Sequence, residues 1–175
     1  MFRNLVLVGF MGSGKSSVGR ILSAMTGFSL VDTDTLAAKE AGMSIPEIFQ
    51  RHGEEHFRKI ETEVLRNLVG RLGLVVATGG GIAVSPENRD LLRQIGPVFW
   101  LDAETEQLHQ RVKNSRRPLL QTKNPRQTLE DLYQSREPLY RAVSDTRIDS
   151  TRLTHRQTAE TVLAFVKDNG TSGNK

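Results

Sequence analysis

Short apolar runs alternate with longer amphipathic stretches along this chain. Runs at 5–9, 30–32, 74–78 and 98–102 each carry Gly, Pro or Asp at or near an end, the pattern of buried strands. A weaker run at 146–149 reads the same way. Between them the period changes. Val18, Ile21, Leu22 and Met25 share one helical face after the first strand, and Leu65, Leu68 and Leu72 recur at helical spacing before the third. Further helices are predicted at 86–94, 104–113, 125–142 and 155–168. Strands alternating with helices predict an α/β fold with a parallel sheet covered on both faces. In such folds ligands bind beyond the carboxyl ends of the strands. Here those ends carry Gly9, Asp32, Thr78 with Gly79, and Asp102.

Composition narrows the class. The 175 residues suit one domain spanning the whole chain, with no repeat period and no interdomain linker. Hydrophobic residues at 37% and charged residues at 25% exclude a disordered chain. There is no cysteine, which excludes disulfides, thiolate catalysis and cysteine-held metals, and agrees with a reducing cytoplasm. No run approaches the roughly 20 apolar residues of a membrane span, so a protein without membrane association is expected. The leading apolar run is too short for the core of a secretory signal. The polar, Gly-rich tail 169–175 is expected to fray.

The net charge of +4 is unevenly spread. Arg111, Lys113, Arg116, Arg117, Lys123 and Arg126 follow one another with no acidic residue among them. That stretch carries +6, so the remainder is −2. No recognition motif or set of stacking aromatics accompanies it, so no nucleic-acid partner is expected.

The sharpest motif is Gly9-Phe10-Met11-Gly12-Ser13-Gly14-Lys15-Ser16, a match to G-x-x-x-x-G-K-[ST] at every fixed position. Such a loop turns its backbone N–H groups inward around phosphates, and glycine permits the close approach and positive φ. A helix should begin near Lys15 with its positive dipole end toward the anion. Lys15 should reach the β- and γ-phosphates and Ser16 should hold Mg²⁺. Other candidates are less specific. Asp32 and Asp34, two residues apart, suit a metal shell and a hydroxyl-orienting base, or simply a helix cap. Thr78 followed by Gly79, Gly80 and Gly81 allows backbone contact with a ligand, or a tight turn. Arg58 and Glu61 at i, i+3 are either an arginine braced to grip a carboxylate or a solvated pair. Arg116-Arg117-Pro118-Leu119 suits a loop closing over a transferring phosphate, and Arg136 is a second potential carboxylate ligand. His52 and His56 fit the H-x-x-E-H pattern of a zinc site, although Gly53 weakens the helix that would carry them. Trp100 reads as packed core, and Tyr133 and Tyr140 as braces for the helix carrying Arg136.

Taken together, the order and spacing of these motifs resemble the shikimate kinases over nearly the whole chain, from Leu5 to about Leu163. The phosphate loop alone indicates only nucleotide binding. The Arg58–Glu61 pair, the glycine triplet and the Arg116-Arg117 lid in this order are far more specific. The resemblance implies a three-layer α/β/α phosphate-loop kinase fold. Its five-stranded parallel sheet has the order 2-3-1-4-5, with a helical substrate-binding region near 33–61 and a lid near 112–124. It implies ATP-dependent phosphorylation of the 3-hydroxyl of shikimate, within aromatic amino-acid biosynthesis, by a cytoplasmic monomer using Mg²⁺. Gly12, Ser13, Gly14, Lys15, Ser16 and Ser17 would bind ATP, with Arg111, Arg117 and Arg152 completing its site. Ser16 and Asp32 would serve the metal. Asp34 would be the catalytic base, aided by Lys15 and Arg117. Arg58 and Arg136 would hold the shikimate carboxylate, Gly80 and Gly81 would contact the ring, and Phe49 and Phe57 would wall the pocket. A related acceptor such as gluconate is the alternative, because paired arginines specify a carboxylate and not the ring that bears it.

Overall fold

The structure is a computed structural model that describes residues 2–113, 120 and 122–170, the last two without their side chains. Five strands form one parallel sheet: β1 (Asn4–Val8), β2 (Ser29–Asp32), β3 (Leu74–Ala77), β4 (Val98–Asp102) and β5 (Thr146–Asp149). Their order is β2-β3-β1-β4-β5, as expected. The register places Val6 of β1 between Val76 of β3 and Val98 of β4. Residues alternate between the faces because the strand period is two. Leu5, Leu7, Val75, Phe99 and Leu101 face one layer, and Val6, Val8, Val76, Val98 and Trp100 the other. All ten are buried, each large aliphatic contributing about 1.5–3 kcal/mol of transfer free energy.

Helices α1 (Lys15–Thr26) and α7 (His155–Gly170) cover the first face through Val18, Leu22, Ala159 and Val162. The second face meets α3 (Ile45–Arg66), α4 (Pro86–Ile95) and α6 (Pro125–Val143) through Leu65, Leu92 and Tyr140. Short α2 (Thr33–Ala41) leaves the end of β2, and α5 (Thr105–Val112) leaves β4. Two apolar patterns ended differently from expectation. Met25 is 45% exposed although it shares the face of Val18 near the end of α1. Helix α3 stops at Arg66, so Leu72 lies in the connection before β3 and is exposed, while Leu68 still packs inward.

The element that shapes the site is α3. Ser44 and Glu47 cap its start, with Glu47 Oε2 accepting from the Ser44 N–H at 2.9 Å and the Ser44 hydroxyl at 2.6 Å. The helix breaks at Gly53, whose φ of +79° lies in the left-handed region open chiefly to glycine. Ile45 and Phe49 therefore sit on one straight segment, and Phe57, Arg58 and Glu61 on the next.

Candidate active site

Strand β1 runs directly into the phosphate loop. Gly12 and Gly14 adopt φ of +81° and +90°, which turns the loop around its own N–H groups before α1 begins at Lys15. Lys15 is buried, and its Nζ donates to the carbonyls of Gly9 (2.7 Å) and Phe10 (2.9 Å) and to Ser13 Oγ (3.3 Å). The Ser16 hydroxyl donates to Asp32 Oδ2 at 3.0 Å. The other Asp32 oxygen accepts from the N–H groups of Asp34 and Thr35 and so caps α2. Asp32 thus caps the start of α2 with one oxygen and meets Ser16 with the other. Gly12, Gly14, Lys15, Ser16, Ser17, Asp32, Asp34, Gly80 and Arg111 line one cavity. Arg111 reaches it from α5, donating to the Gly12 carbonyl at 3.2 Å.

A second cleft opens beside it, between α3, α6 and the end of β3. Asp34, Phe49, Phe57, Arg58, Glu61, Gly79, Gly80, Gly81 and Arg136 line it, together with Met11 and Ile45. Met11, Asp34 and Gly80 belong to both cavities. Arg58 is held from two sides. Its NH1 lies 2.5 Å from Glu61 Oε2, and Glu54 Oε1 accepts from its Nε at 3.2 Å and its NH2 at 2.7 Å. Gly81 backs the guanidinium so closely that a β-carbon there would stand 2.4 Å from NH1 and NH2. Gly79 does the same for Asp34, where a β-carbon would stand 2.4 Å from Oδ1. Gly79 and Gly81 therefore make room for charged side chains, while Gly80 lies against the phosphate-loop backbone. Arg136 is buried, and its NH1 donates to the Gly80 carbonyl at 3.3 Å. The Tyr140 hydroxyl donates to the same carbonyl. Burial raises that hydroxyl's pKa well above the ordinary tyrosine value, so it stays a donor.

Glu61 is the group most altered by its surroundings. Burial pushes its pKa up to about 7, with the nearby Asp34 charge adding to the rise, while Arg58 and Arg136 pull against it. Its Oε1 is buried without a hydrogen-bond partner among the described residues, on the side toward Gly79 and Asp34.

Most of the expected residues meet here. Arg152 does not: it is exposed on the turn after β5 and lies outside the lining of the phosphate cavity. Arg117, with the rest of 114–119, lies outside the described residues. In the H-x-x-E-H segment the rings of His52 and His56 lie 4.9 Å apart. Gly53 interrupts the helix, Glu55 pairs with Lys59, and no group of three or more metal-ligating side chains occurs among the described residues. Trp100 is core, as its pattern implied. His155 was missed as a cavity residue. It lines the phosphate cavity from the first position of α7, with its ring against Gly14. No local motif marks it, since the contact joins positions 141 apart in sequence.

One cavity is lined by the glycine-rich loop, Lys15 and the start of α1, and suits the phosphates of a nucleotide. The other sets an aspartate among two arginines and a floor of glycines, and suits a small anionic acceptor. Sharing Asp34 and Gly80 brings donor and acceptor within reach of each other, which defines a phosphate-loop small-molecule kinase. The family described as shikimate kinase matches residues 11–167. A shikimate kinase of Geobacter sulfurreducens is 45% identical over 95% of this chain and 92% of its own length. The solved shikimate kinase of Acinetobacter baumannii, in complex with shikimate, superposes with a TM-score of 0.93 at 40% identity, over 97% of this chain and 95% of that one. The chain belongs to the shikimate kinase family. A gluconokinase of Sinorhizobium meliloti, 18% identical with a TM-score of 0.64 over 99% of this chain and 98% of that one, shares the fold alone. No helix among the described residues is long and apolar enough to cross a membrane.

Proposed function

We propose that this kinase transfers the γ-phosphoryl group of ATP to the 3-hydroxyl of shikimate, giving shikimate 3-phosphate and ADP within aromatic amino-acid biosynthesis. The observation that carries the reading is the pairing of Arg58 and Arg136 around a cleft that shares Asp34 with the phosphate cavity. A carboxylate taken out of water needs paired, hydrogen-bonding cations, and planar guanidinium groups meet it better than lysine. Glu54 and Glu61 fix Arg58 in advance, so little of its freedom remains to be lost on binding. With the carboxylate held there, the ring rests over Gly80 and Gly81, against the wall that Phe49 and Phe57 make together, and its hydroxyl edge turns toward Asp34.

Phosphoryl transfer asks for alignment and charge neutralisation more than covalent help. Asp34 aligns the hydroxyl and accepts its proton. Lys15 exchanges its loop carbonyls for β- and γ-phosphate oxygens, while the N–H groups of residues 12–17 hold the phosphate chain. Arg111 contacts the nucleotide, Arg152 closes over it from the β5–α7 connection, and Arg117 completes the charge on the γ-phosphoryl group from a lid spanning about 112–124. Ser16 and Asp32 form an all-oxygen donor pair that suits Mg²⁺. Bound there, Mg²⁺ neutralises phosphate charge. The protein acts as a single-domain, cytoplasmic monomer without nucleic-acid or membrane partners.

A coupled ADP-release assay with Mg-ATP tests the reading. Shikimate should drive ADP release and gluconate should not; the reverse result would overturn the assignment of the acceptor.

A further inference from the structure

Arg136 is fixed on one side by the Gly80 carbonyl, and on another by the ring of Phe10, whose centroid lies 5.7 Å from the guanidinium carbon. Phe10 is buried and belongs to the phosphate loop, where its carbonyl accepts from Lys15 Nζ at 2.9 Å. The Phe10 ring is in turn met edge-on by Tyr133, with centroids 5.6 Å apart and planes at 77°. Tyr133 stands one helical turn before Arg136 on α6, so both project over the same ring. Its hydroxyl donates to Asp102 Oδ1 at 2.9 Å. Asp102 is buried at the end of β4, and its other carboxylate oxygen accepts from Arg147 Nε at 2.9 Å. Tyr133 cannot turn away from Phe10 without leaving a buried carboxylate short of a donor. The brace falls where α6 needs it. Pro138 has no N–H to offer the Gln134 carbonyl, so the turn carrying Arg136 lacks one rung of the helix.

We propose that Tyr133 is a positioning residue for the acceptor: anchored on Asp102, it holds the Phe10 ring, and that ring sets the Arg136 guanidinium for the substrate carboxylate. This rests on Arg136 as a carboxylate ligand. Tyr133 lines neither the acceptor cleft nor the phosphate cavity, so it acts on the acceptor indirectly, through Phe10 and the turn of α6 that it shares with Arg136. The backbone of Phe10 is held separately, its carbonyl also accepting from the Ser13 N–H at 3.2 Å. The ring can therefore loosen while the phosphate loop keeps its shape.

The test uses the full chain with Tyr133→Leu, which removes the ring, and Tyr133→Phe, which removes only the hydroxyl. Arg136→Ala and the double variant Tyr133→Leu/Arg136→Ala complete the set. KM is measured for shikimate, for ATP and for the alcohol made by reducing the shikimate carboxylate. Loss of a buried cation–ring contact predicts a shikimate KM raised about tenfold in Tyr133→Leu and about threefold in Tyr133→Phe. The KM values for ATP and for the reduced alcohol should stay within about twofold, and Tyr133→Leu should add nothing once Arg136 is alanine. An unchanged shikimate KM in Tyr133→Leu overturns the proposal. An equal loss for shikimate and the reduced alcohol also overturns it, because it marks general damage to the cleft. If Arg136→Ala itself leaves the shikimate KM unchanged, the carboxylate reading fails first, and the proposal with it.

Discussion

Adding one methyl group at Gly81 should uncouple shikimate binding from folding. In Gly81→Ala the new β-carbon would lie 2.4 Å from both terminal nitrogens of Arg58. Ordinary contact begins near 3.5 Å, so the guanidinium must retreat by about 1 Å. The backbone has no objection: φ is −102° and ψ is 1°, open to alanine, and the substitution narrows the unfolded ensemble. The clash falls on the far end of a long side chain and not on the main chain. Stability should therefore hold within about 1 kcal/mol, read as a melting temperature within a few degrees of wild type. Binding should not hold. Glu54 and Glu61 oppose the retreat on either side, and a guanidinium displaced by about 1 Å loses its fit to the substrate carboxylate. A charge-assisted hydrogen bond is worth about 1.5–3 kcal/mol, which is roughly a tenfold to hundredfold rise in the shikimate KM. Steady-state kinetics at saturating Mg-ATP measure it. A shikimate KM within about twofold of wild type would refute the reasoning, since it would mean that Arg58 needs no close approach to Gly81 in order to work.

Lys15→Ala should lower turnover by at least about a hundredfold while thermal unfolding stays near wild type; retained turnover would remove Lys15 from phosphate stabilisation. Asp34→Asn should reduce kcat by about 10²–10⁴-fold with much less effect on ATP affinity, and an unchanged kcat would dismiss Asp34 as the base. Glu61→Gln should flatten part of the pH dependence of stability. The unfolded carboxyl titrates near 4.5, but the buried one keeps its proton to about 7. Between those values the native state binds the extra proton, so stability falls as pH rises, by up to about 3 kcal/mol, and the loss is complete above the folded value. Thermal melts of the wild type and Glu61→Gln from pH 4 to 8 should converge or cross over that interval; parallel curves would show that burial of Glu61 exerts no such pull.

Much of this arrangement was legible in the chain because its signals are local. The strand at Thr146–Asp149 and the whole strand order agree with expectation, and the phosphate loop, Asp32, Asp34, Arg58 and the glycine triplet meet where strand ends converge. Glu61 could be read as a brace from its i, i+3 spacing, and it is one. What stayed hidden depends on tertiary context. Leu72 continues a helical apolar spacing in sequence, yet the helix has ended by Arg66. Arg152 lies near the phosphate cavity in sequence order but not on its wall, whereas His155, three residues on, is on it. A second purpose of the glycines at 79 and 81 was also invisible: besides the expected approach of a ligand, they leave room for the side chains of Asp34 and Arg58.

The break at Gly53 has a consequence for anyone wishing to retarget this pocket. Phe49 and Phe57 touch with ring centroids 5.0 Å apart, yet they ride on different straight segments of α3. A β-carbon at Gly53 would meet nothing within 4 Å, so only the torsion angle resists replacement there. The gauge of the acceptor cleft is thus set by one backbone dihedral as well as by side-chain bulk. Libraries that vary position 53 would explore wider or narrower acceptors, and because Arg58 rides on the segment beyond the break they would move the carboxylate grip together with the wall.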